Sequence, residues 1–161
     1  MILVHSLLSD VFADGVMNSP LEFEPQTDNS RQIFDVFLEM AKLPDMSETM
    51  LQDVYFSDFE SASSRIFRIY RHLPLHYHED CDEHLYVVSG EAIFHLNGTE
   101  SIAKPGMFVR FPRKQVHGFP RVLIHPFVIL AIDVPRRRPD DIVFVNPEDG
   151  DAKSFMGRNA T

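Results

Sequence analysis

Tryptophan is absent from this chain, and cysteine occurs only once, at position 81. A single cysteine has no partner for an internal disulfide, so cysteine usage gives no sign of an oxidising compartment. No stretch approaches the roughly 20 consecutive apolar residues of a membrane-spanning helix. The apolar run at positions 1–4 is interrupted before a secretory core would be complete. We therefore expect a cytoplasmic protein without a membrane partner.

Positive charge is also scarce, since 15 Lys and Arg face 24 Asp and Glu, which gives a net charge of −9. An acidic chain repels phosphate backbones and anionic lipids, so we expect no nucleic acid partner. The one basic cluster, residues 136–138, is followed by Asp140 and Asp141. We interpret this cluster as a solvated charged turn, with an anion site as the alternative.

The composition is that of a folded domain with extensions. Hydrophobic residues make up 44% of the 161 positions, which is too apolar for a disordered chain. Residues 1–46 carry helical spacing and are expected to form an N-terminal extension with a short helix near 2–12 and a second over 30–42. For the second helix, Asn29 and Gln32 resemble a capping box, and Pro44 ends the pattern.

From residue 47 the pattern changes to the period of two that half-buried strands show. Many short strands predict an all-β barrel or sandwich over residues 47–146, followed by a polar, loosely held tail over 147–161. Asn97 and Gly98 predict a hairpin turn, and Pro126 indicates an edge or a bulge. The predicted strands lie near 50–56, 64–72, 83–89, 91–97, 107–111, 117–124, 127–134 and 142–145.

Two histidines and a glutamate form the most informative pattern. His76 and His78 are two residues apart, and such residues of an extended segment point to the same side, so both imidazoles can reach one point. Glu83 opens the next predicted strand, on the same face as Leu85 and Val87. A carboxylate at the mouth of an apolar strand face is costly to bury alone and becomes reasonable beside a cation. The pattern therefore indicates metal chelation.

A third imidazole comes from a second pattern. Gly106 opens a predicted strand, Pro112 ends it, and His117 follows after a short turn that can return its side chain to the same point. Three imidazoles and one carboxylate suit one divalent transition metal, with Fe, Mn, Ni, Zn and Cu all open, whereas Mg and Ca prefer more oxygen ligands. Four protein ligands leave coordination positions for a small molecule or O₂.

These patterns resemble the two motifs of the cupin superfamily, G-x5-H-x-H-x3,4-E-x6-G and G-x5-P-x-G-x2-H-x3-N. The first motif is matched by His76, His78, Glu83 and Gly90, and the second by Gly106, Pro112 and His117. The resemblance covers residues 64–134 and is specific. It implies a cupin double-stranded β-helix, or jelly-roll barrel, whose metal ligands are His76, His78, Glu83 and His117.

Four positions depart from what the resemblance leads us to expect. Tyr70 stands in place of the leading glycine of the first motif. Lys114 and Arg121 replace the turn glycine and the final asparagine of the second, and Met107 occupies the place of an aspartate that many cupins have. The departures at Tyr70, Lys114 and Arg121 concern turns and strand ends, so they leave the proposed ligand set intact.

Other residues near the motifs have less specific explanations. Cys81 lies between ligands and could bind metal as a thiolate, but its odd spacing from His78 favours a loop-tip thiol. His84 is expected to point outward, away from its neighbour Glu83. Candidate pocket residues, each more readily explained as structural, are Arg68, Tyr70, His72, Arg110 and Phe119.

The sequence leaves two classes of function open. The first is a metal-dependent enzyme acting on a small polar organic molecule, for which the resemblance implies a dioxygenase-like or a sugar-isomerase-like reaction. The second is a noncatalytic sensor or binding module in which the metal only anchors a small-molecule ligand. Open sheet edges need protection, and similar cupins commonly pair through them, so we expect a homodimer.

Overall fold

Alternating apolar side chains from residue 51 onward form antiparallel strands in the computed structural model, which describes residues 25–157. The helices of this described part are short, so the all-β prediction is confirmed. The strands are β1 (Leu51–Phe59), β2 (Ala62–Ile69), β3 (Leu73–Tyr77), β4 (Asp82–Leu96), β5 (Thr99–Ala103), β6 (Phe108–Phe111), β7 (His117–Val134) and β8 (Val143–Phe144). The helices are α1 (Val36–Met40) and α2 (Ala152–Met156), with a 3-10 turn at Pro147–Asp149.

Two strands are longer than predicted, because a bulge lies where we expected a break. β4 joins the segments predicted at 83–89 and 91–97, and β7 joins those at 117–124 and 127–134. Their register shifts between Ser89 and Glu91, opposite the segment of β7 that contains Pro126, so the predicted bulge is confirmed. The hairpin at Asn97 and Gly98 is confirmed as well, since both residues have positive φ and join β4 to β5. The strands β3 and β5 were not predicted.

The long strands β4 and β7 pair with each other and hold the barrel together. β7 also pairs with β2 and β3, whereas β4 also pairs with β5 and β6. In the β3–β7 ladder, His76 lies opposite His117. In the ladders that β4 makes, Glu83 lies opposite Phe111 and Asp133. The topology thus brings His117 of β7 next to His76 and Glu83, which lie on the consecutive strands β3 and β4.

Gly90 allows β4 and β7 to approach closely at the bulge. Its φ is 75°, and an added Cβ would lie 2.4 Å from the carbonyl oxygens of both Ile124 and Pro126. Only a residue without a side chain fits there, which explains why glycine stands at this position of the first motif.

The N-terminal helix is shorter than the predicted span 30–42. α1 starts after Asp35, whose carboxylate accepts hydrogen bonds from the first backbone N–H groups of the helix. Asn29 does not cap a helix, because its side-chain amide bonds both backbone groups of Asp58 in β1. The segment packs on the outside of the barrel, where Phe34 stacks on Phe56 at 4.8 Å. The helix predicted near 2–12 lies outside the described residues.

The C-terminal segment up to residue 157 is not loosely held, which corrects our expectation for this part of the tail. Asp151 and Ser154 form a capping box that starts α2. Phe155 and Met156 are only 3% and 5% exposed and belong to the barrel core. The domain boundaries at 46 and 146 stay a prediction. Between residues 25 and 157, no helix has the length and apolar character needed to cross a bilayer.

Candidate metal centre

Three imidazoles converge inside the barrel. His76 comes from β3, His78 from the turn that follows it, and His117 from the start of β7. All three are 1–2% exposed, and each offers a nitrogen within 4.8 Å of the other two. The structure therefore brings together the three histidines that the spacing singled out.

Main-chain carbonyls determine which nitrogen of each ring is free. The Nδ1 atom of His76 bonds the carbonyl oxygen of Pro74 at 2.7 Å, and that of His117 bonds the carbonyl oxygen of Gln115 at 2.8 Å. The Nδ1 atom of His78 bonds the carbonyl oxygen of Asp141. Because a carbonyl only accepts, each Nδ1 carries the proton and each Nε2 of a neutral ring carries a lone pair. The Nε2 atoms of His78 and His117 are buried and have no hydrogen-bond partner within residues 25–157. Such lone pairs fit a metal ion.

Glu83 lies beside the imidazoles. Its Oε2 atom is 3.5 Å from Nε2 of His117 and 3.8 Å from Nε2 of His78. These separations are long for hydrogen bonds, but they suit atoms that each lie roughly 2.0–2.2 Å from one ion. The other oxygen, Oε1, accepts a hydrogen bond from Arg65 at 3.1 Å, which orients the carboxylate. That these four side chains are metal ligands stays a prediction.

Burial sets the protonation states that chelation needs. It lowers the pKa of His76 well below its usual value, with help from the neighbouring imidazoles. It lowers the pKa of His78 to about 3, opposed by the charge of Glu83 and assisted by that of Arg137. Burial alone would raise the pKa of Glu83, but the contact with His117 and the nearby charge of Arg65 outweigh burial and hold this pKa below its usual value. His76 and His78 are thus neutral and Glu83 is ionised at neutral pH.

Arg65 is a residue of the site that our sequence analysis missed. It is 1% exposed, and its guanidinium lies 3.1 Å from both Glu83 and Asp133 and 3.7 Å from Asp53. The signal was present, because Arg65 shares the inward face of β2 with Phe67 and Ile69. An arginine in such a series needs carboxylate partners.

More buried carboxyl groups than buried guanidinium groups lie around this centre. The guanidinium groups are those of Arg65 and Arg137, and the carboxyl groups are those of Asp53, Glu83, Asp133 and Asp141. Burial raises the pKa of Asp133, which favours its neutral form. A divalent cation beside Glu83 would relieve the cost of burying its ionised carboxylate.

Cys81 is buried, so its interpretation as a loop-tip thiol is wrong. It lies with His78 and Asp141 in a second group whose ligand atoms are within 4.8 Å of one another. However, burial raises the pKa of the Cys81 thiol, which disfavours the thiolate that binds metals. The carboxylate of Asp141 accepts the backbone N–H groups of Glu79 and Asp80, at 2.7 and 3.3 Å. Asp141 therefore holds the loop that carries His78 and Cys81.

The basic cluster is a solvated turn only in part. The side chain of Arg138 is 61% exposed and pairs with Asp80 at the surface. Arg136 forms a largely buried ion pair with Asp58 at 2.7 Å. Arg137 is 1% exposed and points into the barrel, which contradicts the solvated-turn interpretation for this residue.

Most candidate pocket residues lie away from the imidazoles. Arg68 and Tyr70 bond the carbonyl of Pro44 in a cleft outside the barrel, because the inward face of β2 carries the odd-numbered residues. His84 lies on the outward face of β4, against Phe108. Of the other three candidates, His72 and Arg110 are exposed and Phe119 is part of the core.

Aromatic rings surround the imidazoles. Phe111 stacks on His117 with ring centroids 4.1 Å apart and an interplanar angle of 10°. Phe144 and Phe155 lie 5.9 and 5.5 Å from the ring of His76. This apolar wall excludes water, which strengthens electrostatic interactions inside the centre.

Comparisons with known proteins agree with this arrangement. Residues 71–132 match the model of the cupin domain family. A comparison with curated proteins gives no match.

Among solved structures, KdgF from Halomonas sp. shares 23% identity, with a TM-score of 0.51 over 59% of this chain and 86% of its own. The Streptomyces nucleoside dehydratase Pac13 shares 18% identity, with a TM-score of 0.51 over 66% and 87%. A candidate mannose-6-phosphate isomerase from Ralstonia eutropha shares 18% identity, with a TM-score of 0.53 over 60% and 94%. Together with the match to the domain family, these likenesses confirm the predicted double-stranded β-helix. This chain thus contains a segment, residues 71–132, that matches the cupin domain family, and it has the double-stranded β-helix fold.

Proposed function

We propose that this protein binds one divalent transition metal through His76, His78, His117 and Glu83, and that it is a metal-dependent enzyme acting on a small polar organic molecule. One observation carries the proposal: three buried imidazoles have their Nδ1 atoms bonded to main-chain carbonyls, and the buried Nε2 atoms of His78 and His117 have no hydrogen-bond partner among residues 25–157. This arrangement is costly without a cation and typical of a metal site.

The residues of the chain have separate tasks in this proposal. A bound divalent metal would act as a Lewis acid or orient a substrate. The carbonyls of Pro74 and Gln115 hold two of the imidazoles in the required tautomer, and Arg65 orients Glu83. The ring of Phe111 keeps water from the face of His117.

The reaction type decides which substrates to assay first. Both a dioxygenase-like and a sugar-isomerase-like reaction suit a metal with open coordination positions. Two structures of the same fold carry names that refer to sugar-containing substrates, a nucleoside dehydratase and a candidate mannose-6-phosphate isomerase. We therefore place sugar phosphates and nucleosides first, and catechols, flavonols, thiols and diketones second.

A noncatalytic binding module is the second candidate. Phe155 and Met156 are almost fully buried and close the barrel beside the imidazoles. A metal held behind such a closure could serve to anchor a ligand or the fold itself.

Metal content tests the first part of the proposal. Elemental analysis of the purified protein, before and after reconstitution, should find about one transition metal per chain. We expect His78→Ala and His117→Ala to lose this metal while keeping the circular dichroism of the parent. His84→Ala is the matched control, because this ring lies on the other face of β4, and it should retain full metal content. Full metal in His117→Ala would refute the ligand assignment.

Turnover tests the second part. The metal-loaded protein should convert one of the named sugar-derived compounds, measured by NMR, or consume O₂ with one of the others. Conversion should stop in His117→Ala and continue in His84→Ala. A metal-loaded protein that turns over none of these compounds would favour the binding module.

A further inference from the structure

Arg137 is a buried cation that the metal centre does not use. Its Nε and Nη1 atoms have no hydrogen-bond partner among the residues that the structure describes, although the residue is only 1% exposed. Its Nη2 atom contacts the sulfur of Met156 at 2.8 Å. A thioether is a weak acceptor, so this buried guanidinium has no strong hydrogen-bond acceptor among the described residues.

The nearest carboxylate does not supply that partner. The Oδ2 atom of Asp133 lies 4.0 Å from Nε of Arg137, which is too far for a hydrogen bond. The same oxygen already accepts from Arg65 at 3.1 Å and from Ser63 at 3.3 Å. The guanidinium of Arg137 therefore keeps free donors directed into the barrel.

The ring of Phe155 lies beside both Arg137 and the imidazole of His76. Its centroid is 5.6 Å from Cζ of Arg137 and 5.5 Å from the ring of His76. A molecule in the place of this ring would be within reach of both the imidazole of His76 and the guanidinium of Arg137. Phe155 and Met156 belong to α2, a single helical turn near the end of the described chain. Single helical turns of this kind open at low cost compared with central strands.

We propose that Arg137 binds the carboxylate or phosphate group of a ligand that enters the metal centre, and that Phe155 and Met156 occupy this ligand's place when it is absent. The inference rests on the proposed function and assigns the substrate class as small anionic molecules. A guanidinium presents two parallel N–H donors to such a group, which gives both affinity and orientation. Displacement of Met156 frees the third donor.

Calorimetry with defined anions tests the inference. We would titrate the metal-loaded protein with lactate, glycolate and inorganic phosphate, with uncharged lactamide as the matched ligand. Wild-type protein should bind at least one of the anions, and lactate at least tenfold more tightly than lactamide. Arg137→Gln should lose at least a factor of ten in anion affinity, whereas Arg138→Gln, whose parent side chain is 61% exposed, should not change it.

A fluorescence measurement covers the case in which Arg137→Gln does not fold. The chain has no tryptophan, so Phe155→Trp places a single reporter at the closure. Its emission should shift to longer wavelength on addition of the anion and saturate at the concentration found by calorimetry. An unchanged emission during measured anion binding would overturn the displacement of Phe155.

The outcomes separate this inference from the proposed function. The inference would be overturned if the wild-type protein held about one metal but bound none of the three anions. It would also be overturned if Arg137→Gln bound the anions as tightly as the wild-type protein. Either result would leave the metal site standing. A protein that holds no metal but binds phosphate through Arg137 would overturn the metal site and retain the anion site.

Discussion

At the scale of single residues, the imidazoles should make the metal-free protein sensitive to acid. The pKa of His78 is about 3 in the folded protein against 6.5 as the ordinary value, and that of His76 is lowered too. The unfolded chain therefore binds more protons between about pH 6.5 and 3, and stability is lost as the pH falls through this window. The protonation of His78 should lower the free energy of unfolding by about 2 kcal/mol between roughly pH 7 and 5, and His76 should act in the same direction.

Urea denaturation of the metal-free protein at several pH values checks this dependence. His78→Gln should remove part of the slope, and His84→Gln should keep it. A free energy of unfolding that does not change between these pH values would contradict the buried, neutral state of the imidazoles.

The ion pairs of Arg65 should contribute more to the free energy of unfolding than those of any surface arginine. Arg65→Met leaves Glu83 and Asp133 buried without their cation, and loss of one partner from a buried pair costs about 3–5 kcal/mol. Because Glu83 also loses its orientation, metal affinity should fall by about 10–100-fold. Arg68→Met is the control, because the Asp45 side chain with which Arg68 pairs is fully exposed. Equal unfolding free energies for the two variants would show that the buried network contributes little.

The predictability of the site depends on how far apart its residues lie in the sequence. The pair His76 and His78 could be predicted from strand parity, and His117 from its position after a strand and a turn. Arg137 could not, because its inward direction is set by contacts that the sequence does not show, including the pairing of its neighbour Arg136 with Asp58. The carbonyls that bond each Nδ1 atom carry no sequence signal at all.

At the scale of elements, the bulge between β4 and β7 should be the least tolerant point of the barrel. Gly98→Ala places alanine at a φ of 76° in open space, which costs about 1–2 kcal/mol. Gly90→Ala adds contacts of 2.4 Å with two carbonyl oxygens at a similar φ, and it should cost about 1–3 kcal/mol more. Thermal unfolding of both variants measures the difference. Equal melting temperatures would mean that the strands at the bulge can move apart freely.

The helices and strands show which local sequence patterns predict the structure correctly. The hairpin at Asn97 and Gly98 was predictable because its turn chemistry is local. The capping box at Asn29 was misleading, since a contact with Asp58 in β1 takes the side chain that would have capped the helix. The long strand β7 could not be predicted, because only its pairing with β4 carries it past Pro126.

For the molecule as a whole, we expect the homodimer to form through an exposed apolar patch. Tyr86, Phe108 and Ile132 lie on neighbouring strands of the outer sheet face and are 44%, 61% and 41% exposed. Such a patch is typical of an association surface. Phe108→Glu should convert a dimer into a monomer in light scattering, whereas Ile102→Glu, at a site 50% exposed on β5, should not. A wild-type protein that is monomeric at high concentration would contradict the expected homodimer.

The most direct test of the central claim is X-ray absorption spectroscopy at the edge of the metal that the purified protein retains. We expect three imidazoles and an oxygen ligand at roughly 2.0–2.2 Å. A sulfur ligand at roughly 2.3 Å would place the metal on Cys81 instead. Sulfur ligation or fewer than three imidazoles would contradict a centre built from His76, His78, His117 and Glu83.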